Sequence, residues 1–256
     1  MKIFFREFGK GKPVVVLHGL YGISDNWVTF ARTMSDRYHM ILPDARNHGH
    51  SPHSDIFSFP AMEQDLMELL EELRLKKVTL IGHSMGGKTA ICFTLNHPDQ
   101  VDRLVVVDIG LRGYKMDQVH QQLMEAMMAV DFSKASSRKD IERQLEYRIH
   151  DTRMLRLMMK NVVWNPRKVP GWRLNLKGIY ENLFDILEGI EHSGRFYGPV
   201  LFVRGGTSDY IKEEDWPAIK EKFPAAVLQT IAKASHWVHA DAPEEFLGMV
   251  RSFLDQ

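Results

Sequence analysis

Apolar, mostly β-branched residues gather in short runs at 2–8, 13–17, 38–42, 78–81, 104–107, 200–203 and 227–231. Runs of this length, bounded by turn residues, read as strands. Between them, apolar positions recur at three- and four-residue steps over 26–34, 59–73, 84–96, 213–222 and 243–254, the spacing of helices with one buried face. Strands alternating with helices predict an α/β chain with a doubly wound, mostly parallel sheet covered on both sides.

The alternation stops between 111 and 197, where helical spacing continues without strands over 117–130, 138–150, 152–160 and 174–191. A block placed between two strands at their carboxyl ends would sit over the crevice where such sheets bind ligands. It therefore reads as a cap. The expected organisation is a core domain of residues 1–110 and 198–256 with a helical cap at 111–197.

Composition narrows the partners. With 256 residues, 44% of them hydrophobic, the chain can bury one sizeable core. Lys plus Arg equals Asp plus Glu at 33 each, which argues against a nucleic-acid stripe and for a small-molecule partner. The single cysteine, Cys92, cannot form an internal disulfide, and it reads as an inert core thiol. Arg6 interrupts the opening apolar run, and no stretch reaches the roughly 20 apolar residues of a membrane span. The expectation is a cytoplasmic monomer or homodimer.

Chemistry concentrates at Gly82-His83-Ser84-Met85-Gly86. The spacing alone is weak evidence, but a strand precedes it and a helix follows. A serine at such a sharp turn is held in a strained backbone conformation with its hydroxyl lifted clear of the sheet. Its hydroxyl needs a base within hydrogen-bond reach. Of the 12 histidines, His236 is the best candidate, because a loop after the last strand returns to the same crevice; His239 reads as a structural neighbour. Two aspartates, Asp108 and Asp209, each follow a strand, and either would orient the imidazole. Two N–H donors for an oxyanion are expected from Met85 and, in the loop His18-Gly19-Leu20-Tyr21-Gly22, from Leu20.

With these residues in view the chain resembles the α/β-hydrolase superfamily over nearly its whole length. The likeness rests on the His18-Gly19 loop, the segment Asp44-Ala45-Arg46-Asn47-His48-Gly49-His50-Ser51, the serine turn, and His236 with Pro243 downstream. It implies the α/β-hydrolase fold, with the cap inserted after the sixth strand of the fold. More narrowly, Arg46-Asn47-His48-Gly49, Gly82-His83-Ser84-Met85-Gly86-Gly87-Lys88, Val107-Asp108-Ile109 and the segment from Ser235 to Ala240 are similar to a small branch of carboxylesterases and acyl-thioesterases with a short helical lid. That resemblance implies Asp108 as the acid and Ser208 as an auxiliary group near the histidine. Asp209 stands where the wider superfamily often carries its acid.

The expected activity is hydrolysis of a carboxylic ester or thioester, acyl-coenzyme A among the candidates, through an acyl-enzyme on Ser84. Carbon–carbon bond hydrolysis on the same fold, or a non-catalytic binding relative, are the alternatives. No cofactor is required. His48, His50 and His53 lie close together, but their segment lacks a second ligand group of matching spacing, so no metal site is expected. Methionines at Met124, Met127, Met128, Met154, Met158 and Met159 would line an acyl pocket or simply fill the core of the inserted block. From 138 to 177, 11 Lys and Arg face 4 Asp and Glu, a local excess that either attracts an anionic leaving group or is a solvated helix face.

Overall fold

The structure is a computed structural model, and it describes residues 1–115 and 118–256. Seven strands form one sheet: β1 (Phe5–Phe8), β2 (Lys12–Leu17), β3 (Tyr38–Pro43), β4 (Val78–His83), β5 (Val101–Val107), and, after the inserted segment, β8 (Val200–Gly205) and β9 (Ala226–Ile231). Their order is β1-β3-β2-β4-β5-β8-β9, and only β1 runs antiparallel to its neighbour. The chain steps outward from β2 to β3, then crosses back to β4 on the other side of β2. This reversal opens a crevice at the carboxyl ends of β2 and β4.

Alternation along each strand sorts side chains onto two faces. Val15, Leu17, Leu80, Leu104 and Val106 pack beneath α2 (Phe59–Glu72), α3 (Met85–Asn96) and α9 (Trp216–Lys222). Val14, Val16, Ile81, Val105 and Val107 face α1 (Val28–Met34), α10 (Val238–Asp241) and α11 (Pro243–Leu254). Helix α3 is buried nearly all round, because the sheet covers one side and α2 the other.

Strand β1 begins at Phe5 rather than at residue 2, since Phe4 bonds the loop beyond β3 instead: its N–H donates to Ser51 Oγ at 2.9 Å and its carbonyl accepts from Asp44. That loop is tied to α2 by a buried ion pair, in which Arg46 donates to both carboxylate oxygens of Asp65 at 2.6 and 2.7 Å and to the carbonyls of Ile56 and Ala61.

Between β5 and β8 lie α4 (Gln118–Met128), α5 (Arg138–Glu146), α6 (Thr152–Lys160), α7 (Leu176–Glu181) and α8 (Leu183–Leu187). The helix expected from 117 is described from Gln118 onward, and position 117 itself lies outside the described residues. In this chain the insertion leaves from β5 and returns to β8, its neighbour in the sheet. The segment also holds strands, contrary to expectation: β6 (Val162–Trp164) and β7 (Pro170–Trp172) form a hairpin. The helix expected over 174–191 is two, broken at Asn182, whose side chain bonds Asp55 O and Gly178 O instead of letting the helix run on. These elements share a third apolar cluster, in which Met124, Met127, Met158 and Met159 are buried; Met128 is exposed.

The two ends of the insertion meet. Tyr114 N–H donates to Leu187 O and Ile190 N–H to Leu111 O, each at 2.7 Å, making a neck beyond the carboxyl end of β5.

Asp65→Ala leaves the Arg46 guanidinium buried without its carboxylate, so unfolding by denaturant should show a loss of about 3–5 kcal/mol.

Candidate active site

Ser84 stands at the junction of β4 and α3 with φ 53° and ψ −119°, a left-handed-side backbone that a residue with a Cβ adopts only under constraint. The constraint is close approach. A Cβ on Gly82 would come within 2.3 Å of Gly86 O, and one on Gly86 within 2.4 Å of Leu17 O. The turn therefore packs directly against the next helix and against β2, as the sequence motif requires. Ser84 N–H is held by Val107 O at 3.1 Å.

Asp108 follows β5, also at positive φ (49°), and its side chain is completely buried. A buried carboxylate must have its lone pairs met by donors. Here Oδ1 accepts from Gly205 N at 2.8 Å, and Oδ2 accepts from the Ser208 hydroxyl and lies 2.8 Å from Nδ1 of His236. Because a carboxylate only accepts, Nδ1 carries the hydrogen and Nε2 keeps its lone pair. Asp209 is elsewhere: its side chain is exposed, and its backbone carbonyl accepts from Arg112. The geometry thus brings Asp108, Ser208 and His236 together and leaves Asp209 out.

Ser84 and His236 line one cleft of about 180 Å³ with Gly19, Leu20, Tyr21, His83 and Trp237 from the sheet side. His120 and Leu123 of α4 and Met154 of α6 close it from the inserted segment. Of the inserted methionines, Met154 reaches this cleft. Among the described residues, neither the N–H of Leu20 nor that of Met85 has an acceptor, and both stand beside Ser84, one in the cleft wall and one next in the chain.

The loop carrying Leu20 is braced from beneath. His48 Nε2 accepts from Tyr21 N at 3.2 Å while its Nδ1–H donates to Arg46 O, and His18 Nε2 accepts from Ala45 N at 3.0 Å while its Nδ1–H donates to Gly19 O. The segment 44–51 therefore acts as a prop for the 18–22 loop. Cys92 stays a thiol, pushed up to about 12 by burial and then by Glu63.

Two residues close to His236 were not singled out by their sequence positions. His83 donates from Nε2 to His236 O at 2.9 Å, and Tyr210 lies flat on the His236 ring. The position of His83 inside the serine motif was the available signal for the first; nothing local marks the second.

Burial holds the surrounding imidazoles neutral. His83 is pushed well below the ordinary histidine range by loss of hydration and then by His236, and His18 is lowered by burial. His48 falls to about 3 from burial and then His18, and His239, stacked on Trp27 at 4.0 Å, falls to about 3 from burial and then His236. Of these rings His83 lines the cleft, where, as a neutral group, it adds no positive charge beside His236.

A family model for the α/β hydrolase fold matches residues 12–243. The chain belongs to the α/β-hydrolase family. It is 38% identical over 252 residues to an sn-1-specific diacylglycerol lipase of Danio rerio, covering 96% of this chain and 79% of that protein. Esterase YbfF of Escherichia coli is 33% identical over 243 residues, covering 95% and 93%. A marine microorganism esterase of known structure superposes with a TM-score of 0.96 at 40% identity, covering 98% of this chain and 99% of that one. This α/β hydrolase is an enzyme of the esterase type. Among its described residues no helix is long and apolar enough to cross a membrane.

A histidine held neutral sets a pH dependence. The depressed value of His239 means that the unfolded chain binds a proton the folded one refuses; the stability this reflects is whole above about pH 6.5 and is lost as pH falls toward 3. His239→Phe keeps the stack on Trp27 and removes that proton. Unfolding free energies from denaturant melts between pH 7 and 4 should fall less steeply in the variant, by up to about 1.4 kcal/mol per pH unit.

Proposed function

We propose that this α/β hydrolase cleaves carboxylic esters or thioesters through an acyl-enzyme on Ser84, with His236 as base, Asp108 as the acid that orients it, and residues 111–197 as a cap over the cleft. The observation that carries this reading is the shared cleft: a serine at a strained turn and an imidazole whose Nδ1–H is committed to a buried carboxylate. Ser84 Oγ bonds to the carbonyl carbon as its proton passes to Nε2 of His236, and the carbonyl electron pair moves onto oxygen between the N–H groups of Leu20 and Met85. Collapse of that oxyanion expels the alcohol or thiol, which takes the proton from His236. Water, activated by the same imidazole, then frees the acid. The Ser208 hydroxyl supports the pair from behind by donating to Asp108.

The cleft wall of Leu20, Leu123, Met154 and Trp237 suits a small to medium acyl chain. Oxygen esters have the support of the relatives' names, a diacylglycerol lipase and two esterases. Thioesters with an anionic leaving group, acyl-coenzyme A among them, have a separate support. A second groove of about 250 Å³, sharing Trp237 with the cleft, is lined by Arg153, Arg156 and Lys160. Arg148, counted in the same basic excess, is not in its lining.

Fluorophosphonate labelling should modify Ser84 and be abolished by Ser84→Ala. Asp108→Asn should lower kcat by about 10⁴ on p-nitrophenyl esters, as loss of a triad carboxylate does elsewhere, while Asp209→Asn stays near parental; the opposite pattern would exchange their roles.

Arg153→Gln combined with Arg156→Gln should raise KM for an acyl-coenzyme A roughly five- to tenfold, the effect of two exposed charge contacts. KM for an uncharged ester should hold steady, as should both values in Arg148→Gln. Equal changes for both substrates would remove the anionic leaving group from the reading.

A further inference from the structure

Tyr210 is placed with unusual care for a loop residue. Its ring lies on that of His236 with centroids 3.8 Å apart and planes 19° apart. Its backbone is fixed from both sides. The N–H donates to Ser208 Oγ at 3.3 Å, the same hydroxyl that donates to Asp108, and the carbonyl accepts from the Tyr114 hydroxyl at 2.7 Å. Arg112 holds the preceding carbonyl, that of Asp209, at 2.7 Å.

Tyr114 and Arg112 belong to the neck of the insertion. The Tyr114 hydroxyl also accepts from Gly110 N at 2.9 Å, and its ring lies beside that of Tyr210, centroids 5.1 Å apart. Lys88, one turn beyond Ser84 on α3, also meets the Tyr114 ring, with Nζ 4.9 Å from its centroid and donating to the neck carbonyl of Glu188. A continuous set of contacts thus runs from the serine helix through the neck to the imidazole.

We propose that Tyr210 is a positioning residue for His236, held in place by Tyr114, so that the attachment of the inserted segment and the orientation of the base are one unit. This rests on His236 being the base. As it takes the Ser84 proton at Nε2, the ring becomes a cation, and an aromatic face stacked on it stabilises that charge. The other groups facing His236 are Asp108 from the end of β5, which carries the charge opposite to the imidazolium, and the neutral rings of His83 and His239. His120 of α4 faces the Tyr210 hydroxyl at 3.4 Å.

The test is steady-state hydrolysis of a p-nitrophenyl ester across pH by the parent, Tyr210→Leu, Tyr210→Phe and Tyr114→Phe, with fluorophosphonate labelling and a thermal melt of each. Tyr210→Leu should lower kcat about tenfold with KM within about twofold, the loss of ~1.4 kcal/mol from the transition state. The acid limb of its kcat/KM profile should move to lower pH, since the imidazolium has lost a partner. Tyr210→Phe, which keeps the ring, should recover most of the kcat, and Tyr114→Phe should lower kcat severalfold with the acid limb displaced the same way. A Tyr210→Leu protein with parental kcat and an unmoved acid limb, or with a change in KM alone, overturns the proposal. Should that variant fail to melt cooperatively, parental kcat in Tyr114→Phe overturns it instead. Failure to label Ser84 in the parent would sink the serine reading itself; labelled Ser84 with an indifferent Tyr210 would sink only the positioning role.

Discussion

A carboxylate sealed from water persists only where donors surround it, and Asp108 is the point at which two separate stretches of chain, 205–208 and the loop of His236, supply them. Gly205 comes from the end of β8, Ser208 from the turn after it, and His236 from the loop beyond β9. Those stretches are brought within reach by the parallel pairing of β5 with β8 and of β8 with β9. The imidazole orientation is thus a property of the sheet's register, not of any local motif. Removing the charge would leave several donors facing an acceptor that no longer matches them.

The opposite side of the cleft follows a different rule. Ser84 is set by contact distances, because the backbones of β4, α3 and β2 approach one another too closely for side chains at two positions. The nearby 18–22 loop is set by hydrogen bonds from buried histidines that cannot afford a proton. Steric fit on one wall and fixed tautomers on the other leave little freedom for the groups between them, which is the condition for an electrostatically preorganised site.

How much of this the sequence carried depends on how local each feature is. The serine turn was legible, since strand, glycines and helix start all fall within a dozen consecutive residues. The sheet and its two covering layers were legible from short apolar runs such as those of β2, β4 and β5, separated by segments of helical spacing. The choice between Asp108 and Asp209 was not open to residue spacing, because both follow strands; which of them lies beside His236 is set by the sheet register. Tyr210 was invisible, since stacking on a ring from residue 236 leaves no trace in its own neighbourhood. Within the insertion, the hairpin of Val162–Trp164 with Pro170–Trp172 was missed because three-residue strands are too short to show a period. The break at Asn182 was missed for another reason: its side chain is drawn to carbonyls at 55 and 178, and the former contact is tertiary.

The neck has a bearing on how such a chain can change over time. Since Leu111–Ile190 and Tyr114–Leu187 contacts bring the two ends of the insertion side by side, the sheet experiences everything between them as a loop of negligible span. The entropic penalty of closing such a loop grows only with the logarithm of its length. Helices can be added, shortened or exchanged there while the strands keep their places, so the side of the cleft lined by His120, Leu123 and Met154 is free to diversify above an unchanged sheet.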